Sequence, residues 1–128
     1  MDIRDNIFGL QHIGLPSRDF QRTVAFYEEL GFENVYQTVN EGVPVAFLRL
    51  GNVTLEAWQQ DDARQGGGAF EHIALDVRDV DSLYKLALER GYKIRADGLR
   101  SLPFWKNGVR FFNIEGPNME TVEFSQYL

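Results

Sequence analysis

Cysteine is absent from this chain of 128 residues. That excludes disulfides, thiolate metal ligands and a cysteine nucleophile, and it fits a cytoplasmic protein. Basic residues are scarce relative to acidic ones: 13 Lys+Arg against 19 Asp+Glu leave a formal net charge of −6. A phosphate-rich partner is repelled by that balance, and no local basic patch offsets it, so nucleic acid is not an expected partner. Long apolar runs are missing as well. Nothing approaches the ~18–20 apolar residues of a membrane span, and the opening MDIRDNIF lacks the cationic and apolar segments of a leader. The expectation is a soluble, unexported protein. Histidine is rare, with only two in the chain, whereas 44% of the residues are hydrophobic, enough to build a core for one domain or two small modules.

Both histidines sit in a repeat. LQHIGLPSRDF at residues 10–20 and FEHIALDVRDV at residues 70–80 belong to a gapless match of 10–33 with 70–93 at an offset of 60. His12/His72, Ile13/Ile73, Leu15/Leu75, Arg18/Arg78, Asp19/Asp79, Glu29/Glu89 and Gly31/Gly91 coincide in it. A second echo pairs TLEAWQ, from Thr54, with TVEFSQ, from Thr121, at an offset of 67. The seven additional residues are expected in a longer loop around DGLRSLPFWKNG and a longer turn at EGPNM.

Each copy opens on a short apolar, strand-like run and continues into a helix. Asp19 and Asp79 are placed as N-caps, and Gly31 and Gly91 as left-handed C-terminal stops. Phe20, Val24, Tyr27 and Leu30 recur at helical spacing in the first copy, and Val80, Leu83 and Leu86 or Ala87 in the second. Strand-like runs follow at roughly 33–39, 43–50 and 53–59, then at roughly 92–97, 109–114 and 120–127, separated by NEG, GN, KNG and GPN turns. The predicted order is βαβββ twice, an α+β chain. Residues 1–62 form the first module, the flexible-looking ARQGGGA at 63–69 the linker, and 70–128 the second module, together making one structural domain.

Side chains alternate along a strand, so His12 shares a face with Leu10 and Gly14, and His72 with Phe70 and Ala74, away from the helix of each module. On the later strands Glu56 lies with Thr54 and Trp58, and Glu123 with Thr121 and Ser125. A lone strand histidine is more often a hydrogen-bonded structural residue, and a lone glutamate a solvated one. Here each module offers one of each, at equivalent places. Carboxylates facing inward among aromatics are costly unless paired or metal-bound, and two imidazoles with two carboxylates suit Ni, Co, Zn, Mn or Fe. The expected metal ligands are therefore His12, Glu56, His72 and Glu123.

These residues and the motifs around them resemble the vicinal oxygen chelate superfamily of glyoxalases, bleomycin-binding and fosfomycin-resistance proteins, epimerases and extradiol dioxygenases. LQHIGLPSRDFQRTVAFYEELGF resembles its opening strand and helix, GAFEHIALDV its second opening, and FFNIEGPNMETVEF its closing hairpin. The resemblance implies paired βαβββ modules forming a cup-shaped half-barrel with one divalent metal on the inner face. Its glyoxalase I branch has a His/Glu/His/Glu ligand set matched by His12, Glu56, His72 and Glu123. That branch implies a lyase or isomerase acting on a small hemithioacetal or 2-oxo/2-hydroxy substrate through an enediolate. Glu123 is implied as the base, with Glu56 as its counterpart. The other readings of the same fold are a non-catalytic small-molecule binder or antibiotic-resistance protein, and an Fe(II)-dependent dioxygenase.

A homodimer, with modules of different chains completing each cup, is likewise implied. Trp58, Phe104, Trp105 and Arg110 are candidate pocket residues, and Arg22 and Lys106 further candidates for holding an anionic group. In the closing turn Asn118 is expected to take the left-handed conformation. Glu120, close to Glu123, is a rival ligand that alternation turns to the opposite face.

Overall fold

The computed structural model describes residues 2–128. After a 3₁₀ turn at Ile3–Asn6, the elements run β1 (Ile13–Ser17), α1 (Phe20–Glu29), β2 (Glu33–Asn40), β3 (Val43–Leu50) and β4 (Val53–Gln59). The second copy follows with β5 (His72–Asp76), α2 (Val80–Glu89), β6 (Lys93–Leu102), β7 (Val109–Glu115) and β8 (Thr121–Tyr127). The chain divides into two compact units, Met1–Ala63 and Arg64–Leu128, with the boundary inside the expected 63–69 linker. Each unit is a βαβββ module with one open four-stranded sheet, ordered β1-β4-β3-β2 in the first and β5-β8-β7-β6 in the second. The first strand of each sheet runs parallel to the last, and the other pairings are antiparallel. The fold class is α+β.

The helices begin where the sequence placed them. Asp19 accepts from the Arg22 amide (3.1 Å) and Asp79 from the Ser82 amide (3.1 Å), satisfying first-turn donors that the helix itself leaves unpaired. A second cap comes from the last strand of each module: the Phe20 amide donates to Gln59 Oε1 (3.0 Å) and the Val80 amide to Gln126 Oε1 (2.9 Å). The glutamine of the TxExxQ echo therefore ties the last strand to the start of the helix. Gly31 and Gly91 both carry positive φ just past the helix ends.

Each helix covers one face of its sheet. In the first module Phe20, Thr23 and Tyr27 bury against Leu48, Leu55 and Ala57. In the second, Val80 and Ala87 are buried with Phe112, Ile114, Val122 and Phe124, and Phe112 stacks on Phe124 at 5.0 Å. The α1 face is centred on Thr23 rather than Val24, and at the Leu86/Ala87 position it is Ala87 that turns inward, leaving Leu86 exposed.

Three details differ from expectation. First, β6 runs on to Leu102 instead of ending near residue 97, and its pairing with β7 slips between Arg95 and Arg100. By register Asn113 takes the place of Phe47, an offset of 66, and Glu123 that of Glu56, an offset of 67. Against the offset of 60 at the helices, six additional residues thus lie before β7 and one in the turn after it. A bulged strand absorbs part of what sequence alone assigned to loop. Second, Met119 (φ 60) and not Asn118 supplies the left-handed residue of the closing turn, because Asn118 is buried and its carbonyl is engaged. Third, the glycine linker is tied down: the Gly66 amide donates to the Asn118 carbonyl (2.8 Å) and Arg18 Nε to the Ala63 carbonyl (2.7 Å).

Candidate functional site

His12 lies one residue ahead of β1, and His72 is the first residue of β5. The parallel pairing sets Gly14 beside Glu56 and Ala74 beside Glu123, so in each module the histidine two residues earlier shares the glutamate's face. His12 Nε2 stands 3.3 Å from Glu56 Oε1, and His72 Nε2 stands 4.0 Å from Glu123 Oε1. His12, Glu56 and Glu123 are half-buried, Glu123 the least exposed at 18%, and His72 is exposed. Within each unit, no three His, Asp or Glu among the described residues are placed to hold a metal ion together.

The other ring nitrogen of each histidine is held by the preceding residue. His12 Nδ1–H donates to Gln11 Oε1 (2.9 Å), and His72 Nδ1–H donates to the Glu71 carboxylate. Nε2 is then the ring nitrogen that faces each glutamate, where a cation between the two would take its lone pair. Gln11 and Glu71 are repeat equivalents, a signal the sequence carried. Strand alternation assigns them to the other face, but each precedes the first regular strand residue and can fold back.

The donor chemistry fits a divalent cation. Imidazole nitrogen and carboxylate oxygen are the usual ligands of first-row metals. Holding the distal histidine N–H with an acceptor is the arrangement that orients a ligating imidazole.

Each module also has an open cavity at its glutamate, and the second module's includes its histidine as well. In the second, about 410 Å³ is bounded by His72, Ala74, Leu75, Asp76, Glu123 and Ser125 at one end, and by Phe104, Trp105, Phe111 and Tyr127 among the remainder. In the first, a cavity of similar volume is lined by Val43, Val45, Glu56 and Trp58 among others. Trp58 spans Gly14, where a Cβ would meet its ring at 3.1 Å, and its Nε1–H donates to Gln60 Oε1 (3.1 Å). The Phe47 ring stands T-shaped to His12 at 5.6 Å.

Of the expected pocket residues, Trp58 lines the first cavity, and Phe104 and Trp105 line the second. Arg110 does not. Its Nε donates to Asp81 Oδ1 (2.9 Å) and its Nη1 to Ser101 Oγ (3.2 Å). Its β7 neighbours Val109 and Phe111 line the cavity, and alternation turns Arg110 the other way. Arg22 is an exposed residue of α1. Glu120 accepts from the Asn118 amide (2.7 Å), bracing the closing turn.

The chain is thus two βαβββ modules, each with a histidine at the start of its first strand and a glutamate on its last. The chain belongs to the Glyoxalase/Bleomycin resistance protein/Dioxygenase superfamily, whose family model matches residues 11–111. Uncharacterized protein YwbC of Bacillus subtilis (strain 168) is 30% identical over 124 residues, spanning 91% of this chain and 96% of that protein. Among solved structures, a glyoxalase family protein from Enterococcus faecalis superposes with a TM-score of 0.75 at 22% identity, covering 92% of this chain and 97% of that one. The fosfomycin resistance protein FosX from Listeria monocytogenes, complexed with Mn(II) and sulfate, gives 0.73 at 17% identity, covering 95% and 94%. At these identities the structural likeness is one of fold. No helix among the described residues is long and apolar enough to cross a membrane.

Proposed function

We propose that this chain is a divalent-metal-dependent lyase or isomerase of glyoxalase I type, with His12, Glu56, His72 and Glu123 as its metal ligands. The observation that carries the reading is the recurrence of one His–Glu pair at equivalent places in both modules, 3.3 Å apart in one and 4.0 Å in the other. A bound cation would polarise two neighbouring oxygens of a 2-hydroxycarbonyl or hemithioacetal substrate. Around it the protein's part is proton transfer. Glu123 takes the proton from the carbon bearing the hydroxyl, that C–H electron pair moves toward the adjacent carbonyl oxygen, the same carboxylate returns a proton to the neighbouring carbon, and the hydroxyl proton passes to the former carbonyl oxygen. Glu123 suits this role because its contact to His72 is the looser of the two and its carboxylate is the less solvated. Glu56, closer to its histidine, is the stationary partner.

A second reading, a small-molecule binder of resistance type, draws support from the aromatic cavity of the second module and from the Mn(II)-bound fosfomycin resistance protein of similar fold. In either reading the chain acts as a homodimer. The exposed Phe8, Leu10 and Phe70 supply apolar surface for association, and sedimentation reports the outcome.

Solvent deuterium uptake separates the two readings. Metal-loaded protein incubated in D₂O with 2-oxoaldehyde hemithioacetals of several thiols incorporates deuterium at the product carbon, and Glu123→Gln lowers the rate by ~10²–10⁴-fold while ligand still binds. A metal-loaded protein that binds these compounds but neither converts nor exchanges them overturns the catalytic reading in favour of the binder.

A further inference from the structure

We infer that the ligand of the second module's cavity carries an uncharged aromatic or similarly planar apolar group next to its oxygen-bearing carbons. The inference rests on the reading of His72 and Glu123 as the end that receives those oxygens, and adds the substrate's other half. The lining also includes Leu102, Phe104, Trp105, Val109, Phe111 and Tyr127, all apolar or aromatic.

Trp105 is the informative residue. Its backbone sits at φ 64, a conformation unfavourable for a bulky non-glycine residue. Core packing does not explain that, because the side chain is 74% exposed and rests only edge-on against Tyr127, with ring centroids 5.7 Å apart. It lies in the 103–108 connection between β6 and β7, whose counterpart in the first module is the two-residue turn Glu41–Gly42. The duplication has therefore been lengthened in one copy only, and the added residues place two large aromatics at the mouth of a cavity that holds the His–Glu pair. Exposed aromatics ringing an apolar recess offer a stacking surface to a flat partner.

Charge narrows the class further. The lining includes Asp76 and Glu123 and, among the described residues, no lysine or arginine. The nearby cations stand outside that lining: Arg110 pairs with Asp81, Arg100 lies over the Phe111 ring (5.1 Å) and pairs with Asp97 (3.7 Å), and Lys106 of the 103–108 connection is exposed. A tail bearing carboxylates, as a glutathione conjugate does, would meet carboxylates without a counter-charge. An aryl or alkyl-aryl tail would meet matching surface.

The test is calorimetric, on the full-length protein loaded with Zn(II), using three probes of related head group: mandelate, lactate and S-lactoylglutathione. Mandelate is expected to bind ~10-fold tighter than lactate, with S-lactoylglutathione no tighter than lactate. Trp105→Ala, at an exposed position that folding tolerates, should remove most of the preference for mandelate and leave lactate unchanged, and Phe104→Ala should remove part of it. Equal affinities for mandelate and lactate, a preference that survives in both variants, tightest binding of S-lactoylglutathione, or no binding of mandelate each overturn the inference. His72→Ala isolates the other half of the argument. If it weakens mandelate and lactate in parallel, the head-group assignment holds. If it changes neither while Trp105→Ala abolishes the preference, the aromatic wall stands and the reading of the His–Glu end falls.

Discussion

Gln11 and Glu71 are ordinary polar residues until their contacts are counted: each fixes the imidazole that follows it. With Nδ1–H of His12 donated to Gln11 Oε1 at 2.9 Å and that of His72 to the Glu71 carboxylate, Nε2 is the nitrogen each ring offers to a cation held with the glutamate. Gln11→Ala and Glu71→Ala should each lose ~10–100-fold in Zn(II) affinity, read by competition with a chelator. Glu71→Gln, which keeps the acceptor, should restore most of it. Affinity unchanged in the alanine variants would show that the sheet alone orients the rings. The histidines and glutamates were legible in the sequence because duplication repeats them. Their supporting residues were not, because strand alternation is the only geometric rule a sequence offers, and it does not hold at the residue preceding the strand.

At the level of elements, the caps were readable and their partners were not. Asp19 and Asp79 follow from local rules, since an acceptor at that place serves only its own helix. Gln59 and Gln126 act across 39 and 46 residues, and no local pattern announces that. β6 shows the converse failure: Gly98 and the polar run around it read as loop, yet cross-strand pairing to β7 carries the strand through a bulge to Leu102. One cap also carries a pH signature. Asp79 is held below its ordinary value of 3.8, chiefly by the Ser82 amide, then by the Ser82 hydroxyl, with Lys85 adding attraction and slight burial opposing. Its carboxylate is thus favoured in the folded chain relative to the unfolded one. The stability it contributes is complete above pH 3.8 and is lost as pH falls through the lower folded value. Asp79→Asn keeps an acceptor at the cap and removes the titration. Urea unfolding between about pH 5 and about pH 2 should show wild type losing stability relative to Asp79→Asn as the acid end is approached. Parallel curves across that window would mean that the Ser82 contacts do not distinguish the charged form.

The whole molecule is two copies of one design that have diverged in what they present. Register places Tyr36, Phe47, Glu56 and Gly14 in one row of the first sheet, and the matching row of the second holds Asn113, Glu123 and Ala74. The glutamate is kept while Asn113 stands beside it where Phe47 stands in the first sheet. The repeat therefore disclosed the fold and brought a histidine and a glutamate onto one face of each module, but it is silent on Arg110, whose direction follows from its place on β7. The proposed ligand set makes a stoichiometric demand on the intact protein. One His and one Glu from a single module leave a first-row cation with half of its usual donors, so neither pair should bind tightly alone, and one metal should be taken up per chain and not two. At a free Zn(II) concentration ~100-fold above Kd, binding should stabilise the folded chain by about 2.7 kcal/mol, raising Tm by roughly 10 °C, and excess chelator should reverse the shift. His12→Ala and His72→Ala, in different modules, should each abolish most of that shift and lower uptake well below one per chain. Two metals per wild-type chain, or a shift that survives either substitution, would show the modules to be independent sites and would remove Glu56 and Glu123 from a common ligand set.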